Sequence, residues 1–124
     1  MAARSTNRDF QPRLQIDAAL ELGDITPELI DQIEGLMPYG SGNPEPLCGA
    51  HDLIGTSSSW VAQHHRRMVL RPSDGPADRS VRAIHFNADP RSGAMTRFER
   101  LAFKLRWNRW NGGHSPQLVV EAAA

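Results

Sequence analysis

The side chains of this chain that are best suited to bind a metal ion are its histidines and its single cysteine. The candidates are Cys48, His51, His64, His65 and His85. Structural zinc sites usually combine two ligand pairs of characteristic spacing, and these residues do not form such a set. A lone cysteine also excludes an internal disulfide and a cysteine-based zinc site. We therefore predict no metal and no cofactor in this chain, with Cys48 packed as a small apolar residue.

Two other segments contain residue types that are used in catalysis. The run Ser57–Ser59 offers hydroxyl groups, but no acid or base is arranged around it as a nucleophile requires. The segment "LMPYGSGNPEPLCG", Leu36 to Gly49, is rich in glycine like a phosphate-binding loop. No lysine follows its glycines, and a strand rather than a helix comes next. The sequence thus contains no recognisable catalytic site.

The basic residues are unevenly distributed along the chain. Residues 1–50 hold three Arg against eight acids, whereas residues 51–124 hold ten Arg and one Lys against six acids. The formal charge of zero therefore combines halves of −5 and +5. Thirteen of the fourteen cations are Arg, whose planar group suits phosphate and stacks on flat rings. This pattern favours a basic face on the second half, although a merely solvated surface would look the same.

Alternation within the strand-like segments predicts which side chains form that face. In "LAFKLRWNRW" it places Phe103, Leu105 and Trp107 on one side and cations with an aromatic ring on the other. The same rule, applied to "RRMVLR", buries Met68 and Leu70 and exposes the flanking Arg67 and Arg71. The predicted nucleic-acid-binding set is Arg67, Arg71, His85, Lys104, Arg106 and Trp110. In the alternative interpretation Trp110 covers an open end of the fold and the arginines only keep the protein soluble.

The length and composition are those of one globular domain. A chain of 124 residues buries roughly 65–70% of its unfolded surface, and 40% of its residues are apolar. There is no run of about 20 apolar residues and no apolar N-terminal region that could act as a secretion signal, so we expect a cytoplasmic protein. Residues 1–13 are predicted to be disordered or tag-like.

Residues 14–46 are predicted to form a strand, a helix and a stiff connector. Alternating apolar residues from Leu14 to Leu22 favour a half-buried strand. Thr26 is a good N-cap and Pro27 suits the first helical position. The helix should present apolar residues as far as Leu36 or Met37, followed by a connector that Tyr39 anchors to the barrel.

Residues 47–124 are predicted to form a five-stranded barrel, so the fold class is mainly β with one helix. Asn111-Gly112 is the clearest hairpin signal. The core should contain Met68, Leu70, Ile84, Phe86, Phe103, Leu105 and Trp107. The candidate strands lie near residues 52–58, 60–71, 79–87, 98–110 and 116–122.

Four ordered segments resemble a known family. "MPYGSGNPEP", "AIHFN", "NRWNGG" and "QLVVE" are similar, in order and spacing, to the C-terminal OB-fold domain of the RecJ family of single-strand-specific exonucleases, over about residues 14–122. The chain departs from the family at Tyr39, where Phe is usual, and at "QHHRRM". In the family the Pro/Gly segment joins the strand and helix from the catalytic region to the barrel.

The resemblance implies a non-catalytic domain that binds single-stranded DNA and guides it to an exonuclease core. That core, with Mn²⁺ or Mg²⁺ and 5′-to-3′ activity in DNA repair and recombination, would lie outside this chain. Two short matches to its motifs are coincidental: "QHH" at 63–65 has Gln in place of the metal-binding Asp, and "GGH" at 112–114 falls in a hairpin. The alternative is a protein-docking module that binds the acidic tail of single-strand-binding protein or the exonuclease's own catalytic domains.

Overall fold

The computed structural model describes most of the chain. The described residues are 16–40, 42–62, 64–75, 79–88, 96–110 and 113–124, without the side chains of Ser57 and Trp110. The predicted disorder of residues 1–13 and the predicted strand residue Leu14 therefore lie outside the described part.

The segment before the helix is less regular than predicted. Strand β1 contains only Ala18–Ala19, and Leu22 opens a 3-10 helix, Leu22–Asp24, in which its side chain is buried. The long half-buried strand expected up to Leu22 was wrong, since among the described residues only Ala18 and Ala19 form a strand, both are exposed, and Leu22 already belongs to the 3-10 helix. β1 pairs in parallel with the first residues of the following strand.

The helix begins as its sequence predicts. Helix α1 spans Pro27–Glu34, and the Thr26 Oγ1 accepts a hydrogen bond from the Leu29 backbone N–H at 3.2 Å. Its buried residues are Ile30 and Ile33. The apolar face was expected to reach Leu36 or Met37, but the helix ends earlier and these side chains are 48% and 52% exposed.

The five remaining strands form a closed ring. They are β2 (Cys48–Val61), β3 (His65–Pro72), β4 (Val81–His85), β5 (Arg97–Trp110) and β6 (Gly113–Ala123). Their order around the ring is β2-β3-β4-β6-β5, and β5 closes onto β2. Only β4 and β6 run parallel within the ring. The predicted fold class, mainly β with one helix, is confirmed.

The boundary between the first two predicted strands was wrong. Segments 52–58 and 60–71 were expected to be separate strands, but β2 runs unbroken to Val61 and the chain turns only before His65. The serine run does not end the strand because it lies within the pairing with β3, just after an irregularity between Gly55 and Ser57. The last residue pair between β5 and β6 is Trp110 with Gly113, and these two residues flank the predicted hairpin signal Asn111-Gly112.

The core fills the ring and is closed at one end by α1. Met68, Leu70, Phe103 and Leu105 are buried as predicted, each at most 3% exposed. Trp107 is partly buried and packs against the core. No helix in the described part of the chain is long and apolar enough to cross a membrane.

The predicted orientation of β4 was wrong. Ala83 is buried opposite Met68, whereas Phe86 is 50% exposed and Ile84 only partly buried. Directly opposed residues of neighbouring strands share a face, so the fixed direction of Met68 forces Ala83 inward and Ile84 outward. Ile84 of β4, and Phe86 just after the strand, therefore lie outside the core, although hydrophobicity alone favoured burying them.

Candidate nucleic-acid interface

The outer surface of β3 and β4 brings aromatic and cationic side chains together. Because directly opposed residues share a face, the outer side chains follow from the register of the two strands. We call this surface the β3–β4 face, which consists of His65, Arg67, Val69, Arg71, Arg82, Ile84 and Phe86.

The aromatic end of this face lies where β3 begins and β4 ends. The rings of His65 and Phe86 meet edge to face with centroids 5.2 Å apart. The backbone N–H of Asn87 donates to the His65 Nδ1 at 3.1 Å, which fixes the orientation of the imidazole. Phe86 keeps half of its surface exposed, so one side of the pair remains open for stacking.

The cations of this face alternate between the two strands. Arg67 lies opposite Ile84, and Arg82 lies opposite Val69, so successive rows carry one cation each, about 6.7 Å apart along the strands. Both arginines are exposed. Within the described ranges no carboxylate pairs with Arg67 or Arg82, and Arg71 donates only to the Pro72 carbonyl, at 3.2 Å.

The predicted cations of β5 are instead paired with acids. The Arg106 guanidinium donates from Nε and Nη2 to the two oxygens of Glu45, at 2.9 and 2.6 Å. The Lys104 ammonium lies 3.9 Å from both Glu45 and Glu121. The hydrogen bonds that Arg106 donates to Glu45 raise the pKa of Arg106 above its ordinary value. These two residues, which we call the β5 pair, carry no excess positive charge in this arrangement.

The other side of β5 is joined to α1. The Trp107 indole donates to Asp31 at 2.8 Å, and the Trp107 ring meets the His114 ring edge to face at 4.3 Å. Arg109 donates to Glu34 at 2.6 Å, and this bond lowers the pKa of the Glu34 carboxyl. The helix thus packs over the end of the ring where β5 finishes.

His85 does not join the predicted basic face. It lies opposite Arg66, whose side chain is only 3% exposed and donates from Nε to the Ser58 hydroxyl at 2.7 Å. Burial, and next the charge of Arg66, lowers the pKa of His85. The expectation that His85 is exposed was wrong for the same reason as the orientation of β4. Trp110 ends β5, and its side chain lies outside the described part.

Tyr39 also has a different contact from the one expected. Its hydroxyl donates to the Ile33 carbonyl at 2.8 Å, so the ring anchors the connector to the last turn of α1 rather than to the barrel.

Three charged or aromatic residues of the β3–β4 face were missed by the sequence prediction. Arg82 and Phe86 follow from the true orientation of β4, and His65 from the true start of β3. The sequence holds one weak signal for the orientation of β4. Ala83 lies between Arg82 and Ile84, and a small side chain can point inward while the two larger ones point outward.

The described residues do not fit a metal pair of the kind a nuclease uses. No three His, Cys, Asp or Glu side chains lie together in the described ranges. Cys48 is buried, and burial raises the pKa of its thiol, which suits packing rather than metal binding.

A ring of five strands in this order, with its β3 and β4 as the second and third barrel strands, defines an OB-fold protein. The chain belongs to the family of RecJ OB domains, whose family model matches residues 16–122.

Three curated relatives are each named single-stranded-DNA-specific exonuclease RecJ. The protein of Bacillus subtilis is 25% identical over 123 residues, 96% of this chain. Those of Haemophilus influenzae and Escherichia coli are 26% and 27% identical over 85% and 90% of this chain. The chain spans only 15%, 18% and 19% of the length of these relatives, and what is matched is the OB domain.

Proposed function

We propose that this domain binds single-stranded DNA on its β3–β4 face and holds the strand for a RecJ-type exonuclease whose catalytic residues are not in this chain. One observation carries the proposal. The arginines of this face have no carboxylate partner among the described residues, and they lie on the same surface as the exposed Phe86. OB folds commonly bind oligonucleotides on the second and third strands of the barrel, which are β3 and β4 here.

The chemistry of the face separates two kinds of contact. Arg67, Arg71 and Arg82 would pair with phosphates, and each neutralised phosphate contributes about −0.7 to the slope of log affinity against log salt. Three contacts give a slope of roughly −2. Phe86, supported by His65, would stack on a base, which is insensitive to salt and tolerant of sequence. Binding should therefore be weak, salt-dependent and largely independent of sequence.

The test is the affinity of a fluorescent single-stranded oligonucleotide, measured by anisotropy at low salt. Phe86→Ala should cost about 1–3 kcal/mol, roughly a 5- to 150-fold loss, with little change in the salt slope. Met37→Ala is the matched control because Met37 is equally exposed but lies in the connector. A folded Phe86→Ala variant that binds as tightly as the parent would refute the stacking role, and a parent that does not bind would refute the proposal.

We further propose that the isolated chain does not cleave DNA, and that Mn²⁺ or Mg²⁺ serves the catalytic domains alone. Two-metal hydrolysis needs ligands that bring two ions within about 4 Å. A 5′-labelled oligonucleotide should remain intact with pure protein and either ion. Cleavage that is proportional to protein and dependent on the metal would contradict this.

An exposed apolar side chain at the aromatic end favours a second candidate, the docking of an acidic peptide. Val61 is 39% exposed and lies opposite His65 in the sheet. A peptide with acidic and apolar side chains, such as the tail of single-strand-binding protein, would match this combination of charge and apolar surface. An acidic peptide that binds the parent while single-stranded DNA does not would favour docking over DNA binding.

A further inference from the structure

We propose a second phosphate-binding position on β5, formed by Arg106 and Lys104, which the Glu45 carboxylate occupies and from which a bound single strand displaces it. This inference rests on the proposed function and extends it. The ligand class is a phosphodiester of the same single strand that lies on the β3–β4 face. Glu45 would then act as an internal competitor for that phosphate.

The geometry of Glu45 resembles that of a bound phosphate. Two parallel hydrogen bonds join its two oxygens to the Nε and Nη2 of Arg106, and the Lys104 ammonium lies 3.9 Å from the same carboxylate. Arginine binds carboxylate and phosphate in the same two-bonded manner. Glu45 is only 8% exposed, whereas Arg106 remains 49% exposed. An incoming phosphate could therefore approach the guanidinium before the carboxylate leaves.

The β5 pair is continuous with the β3–β4 face. Arg82 lies beside Gln117 of β6, and Gln117 lies opposite Arg106. These three side chains share one row across the outer surface, and two steps between strands cover about 10 Å. Lys104 ends the neighbouring row in the same way, beside Val119. A strand that crosses β3 and β4 can thus reach Arg106 without leaving the outer surface.

The connector can release Glu45 without losing its other attachments. The Asn43 side chain donates to the carbonyls of Leu36 and Pro38, at 2.6 and 3.0 Å. On the other side of Glu45, the Leu47 N–H donates to the Asp17 carboxylate at 2.8 Å. Displacement therefore changes the position of one side chain rather than the path of the connector.

The exchange has a distinctive salt dependence. When a DNA phosphate displaces the Glu45 carboxylate from Arg106, a counterion is released from the phosphate and another associates with the freed carboxylate. The parent should therefore show little added salt dependence from Arg106. Removal of the Glu45 charge should make the salt dependence of the Arg106–phosphate contact measurable, because the phosphate then displaces no carboxylate.

The experiment compares Glu45→Gln with Glu28→Gln in oligonucleotide binding between about 50 and 200 mM salt. Both remove one negative charge, but Glu28 lies in the exposed first turn of α1. We expect Glu45→Gln to bind at least about threefold more tightly at the lowest salt and to steepen the slope by about 0.7. Glu28→Gln should stay close to the parent. Adding Arg106→Ala to Glu45→Gln should return the slope to that of the parent.

The possible results separate the two proposals. If the parent binds DNA and Glu45→Gln gains no more than Glu28→Gln, the second position is refuted and the first stands. If neither the parent nor any variant binds, both are refuted. Should Glu45→Gln fail to fold, the parent itself serves: saturation with oligonucleotide at low salt should shift the Arg106 Nε–H resonance in a nitrogen-15 correlation spectrum, and an unshifted resonance would refute the second position.

Discussion

The β3–β4 face and the β5 pair carry the same kind of side chain in opposite electrostatic settings. Arg67 and Arg82 have no carboxylate partner among the described residues, whereas Arg106 is held by Glu45 with two hydrogen bonds. Both sets lie on the outer surface of one ring. The difference arises because the acidic first half of the chain supplies Glu45 to β5, whereas no carboxylate of the described residues pairs with Arg67 or Arg82.

This contrast shows that composition alone cannot locate a binding surface. Alternation exposes both Arg67 and Arg106 and so predicted the same role for them. Of these two, Arg106 is paired with Glu45, whereas Arg67 has no carboxylate partner among the described residues. We therefore expect the first contacts with DNA to form on β3 and β4.

The largest expected effect comes from a substitution in the core, which supports both surfaces. Phe103 is fully buried, and Phe103→Ala should lower the free energy of unfolding by about 3–5 kcal/mol. Phe86→Ala makes the same change on the β3–β4 face and should cost only about 0.5 kcal/mol. Urea denaturation followed by circular dichroism measures both. Equal losses would show that Phe86 belongs to the core, as the sequence alone had indicated.

A smaller effect compares two neighbouring arginines of β3. Arg66 is buried against Ser58 and lies 6.0 Å from the centre of the Phe98 ring, so Arg66→Ala should destabilise the fold by about 2 kcal/mol. Arg67→Ala should change stability by no more than about 0.5 kcal/mol and should weaken DNA binding instead. The comparison fails if Arg67→Ala destabilises the fold as much as Arg66→Ala does.

The smallest effect concerns the pH dependence of stability. Because burial and Arg66 lower the pKa of His85 in the folded state, with Glu121 opposing them, the unfolded chain takes up this proton first as the pH falls. The stabilising contribution is thus complete above about pH 6.5 and is lost as the pH falls through the folded pKa. His85→Gln should make the loss of stability between about pH 7.5 and 5.5 smaller than in the parent. Parallel stability curves for parent and variant would contradict this.

Local signals in the sequence predicted local structure well. The Thr26 cap and Pro27 fixed the start of α1, and the regular alternation of β5 identified Phe103 and Leu105 as core. These features depend on residues close in sequence. The sequence alone could therefore establish the fold class and four buried residues of the seven predicted for the core.

The failures have two physical causes. β4 has only five residues, and its buried position holds Ala83 while Ile84 lies outside, so hydrophobicity pointed the wrong way. The pairing of Glu45 with Arg106 joins residues 61 positions apart, which no local pattern reveals. Register with β3 decides the first case, and packing of the connector on β5 decides the second.

The most direct test of the account compares the salt dependence of DNA binding for Arg67→Ala and Arg106→Ala, with Arg109→Ala as an exposed control. Arg109 lies on the other side of β5, where it is bound to Glu34 of α1. Arg67→Ala should reduce the magnitude of the slope by about 0.7, and Arg106→Ala by less than half of that amount. Arg109→Ala should leave it near the parent value. A slope that falls with Arg106→Ala but not with Arg67→Ala would contradict the account, because the β5 pair would then carry the primary contact.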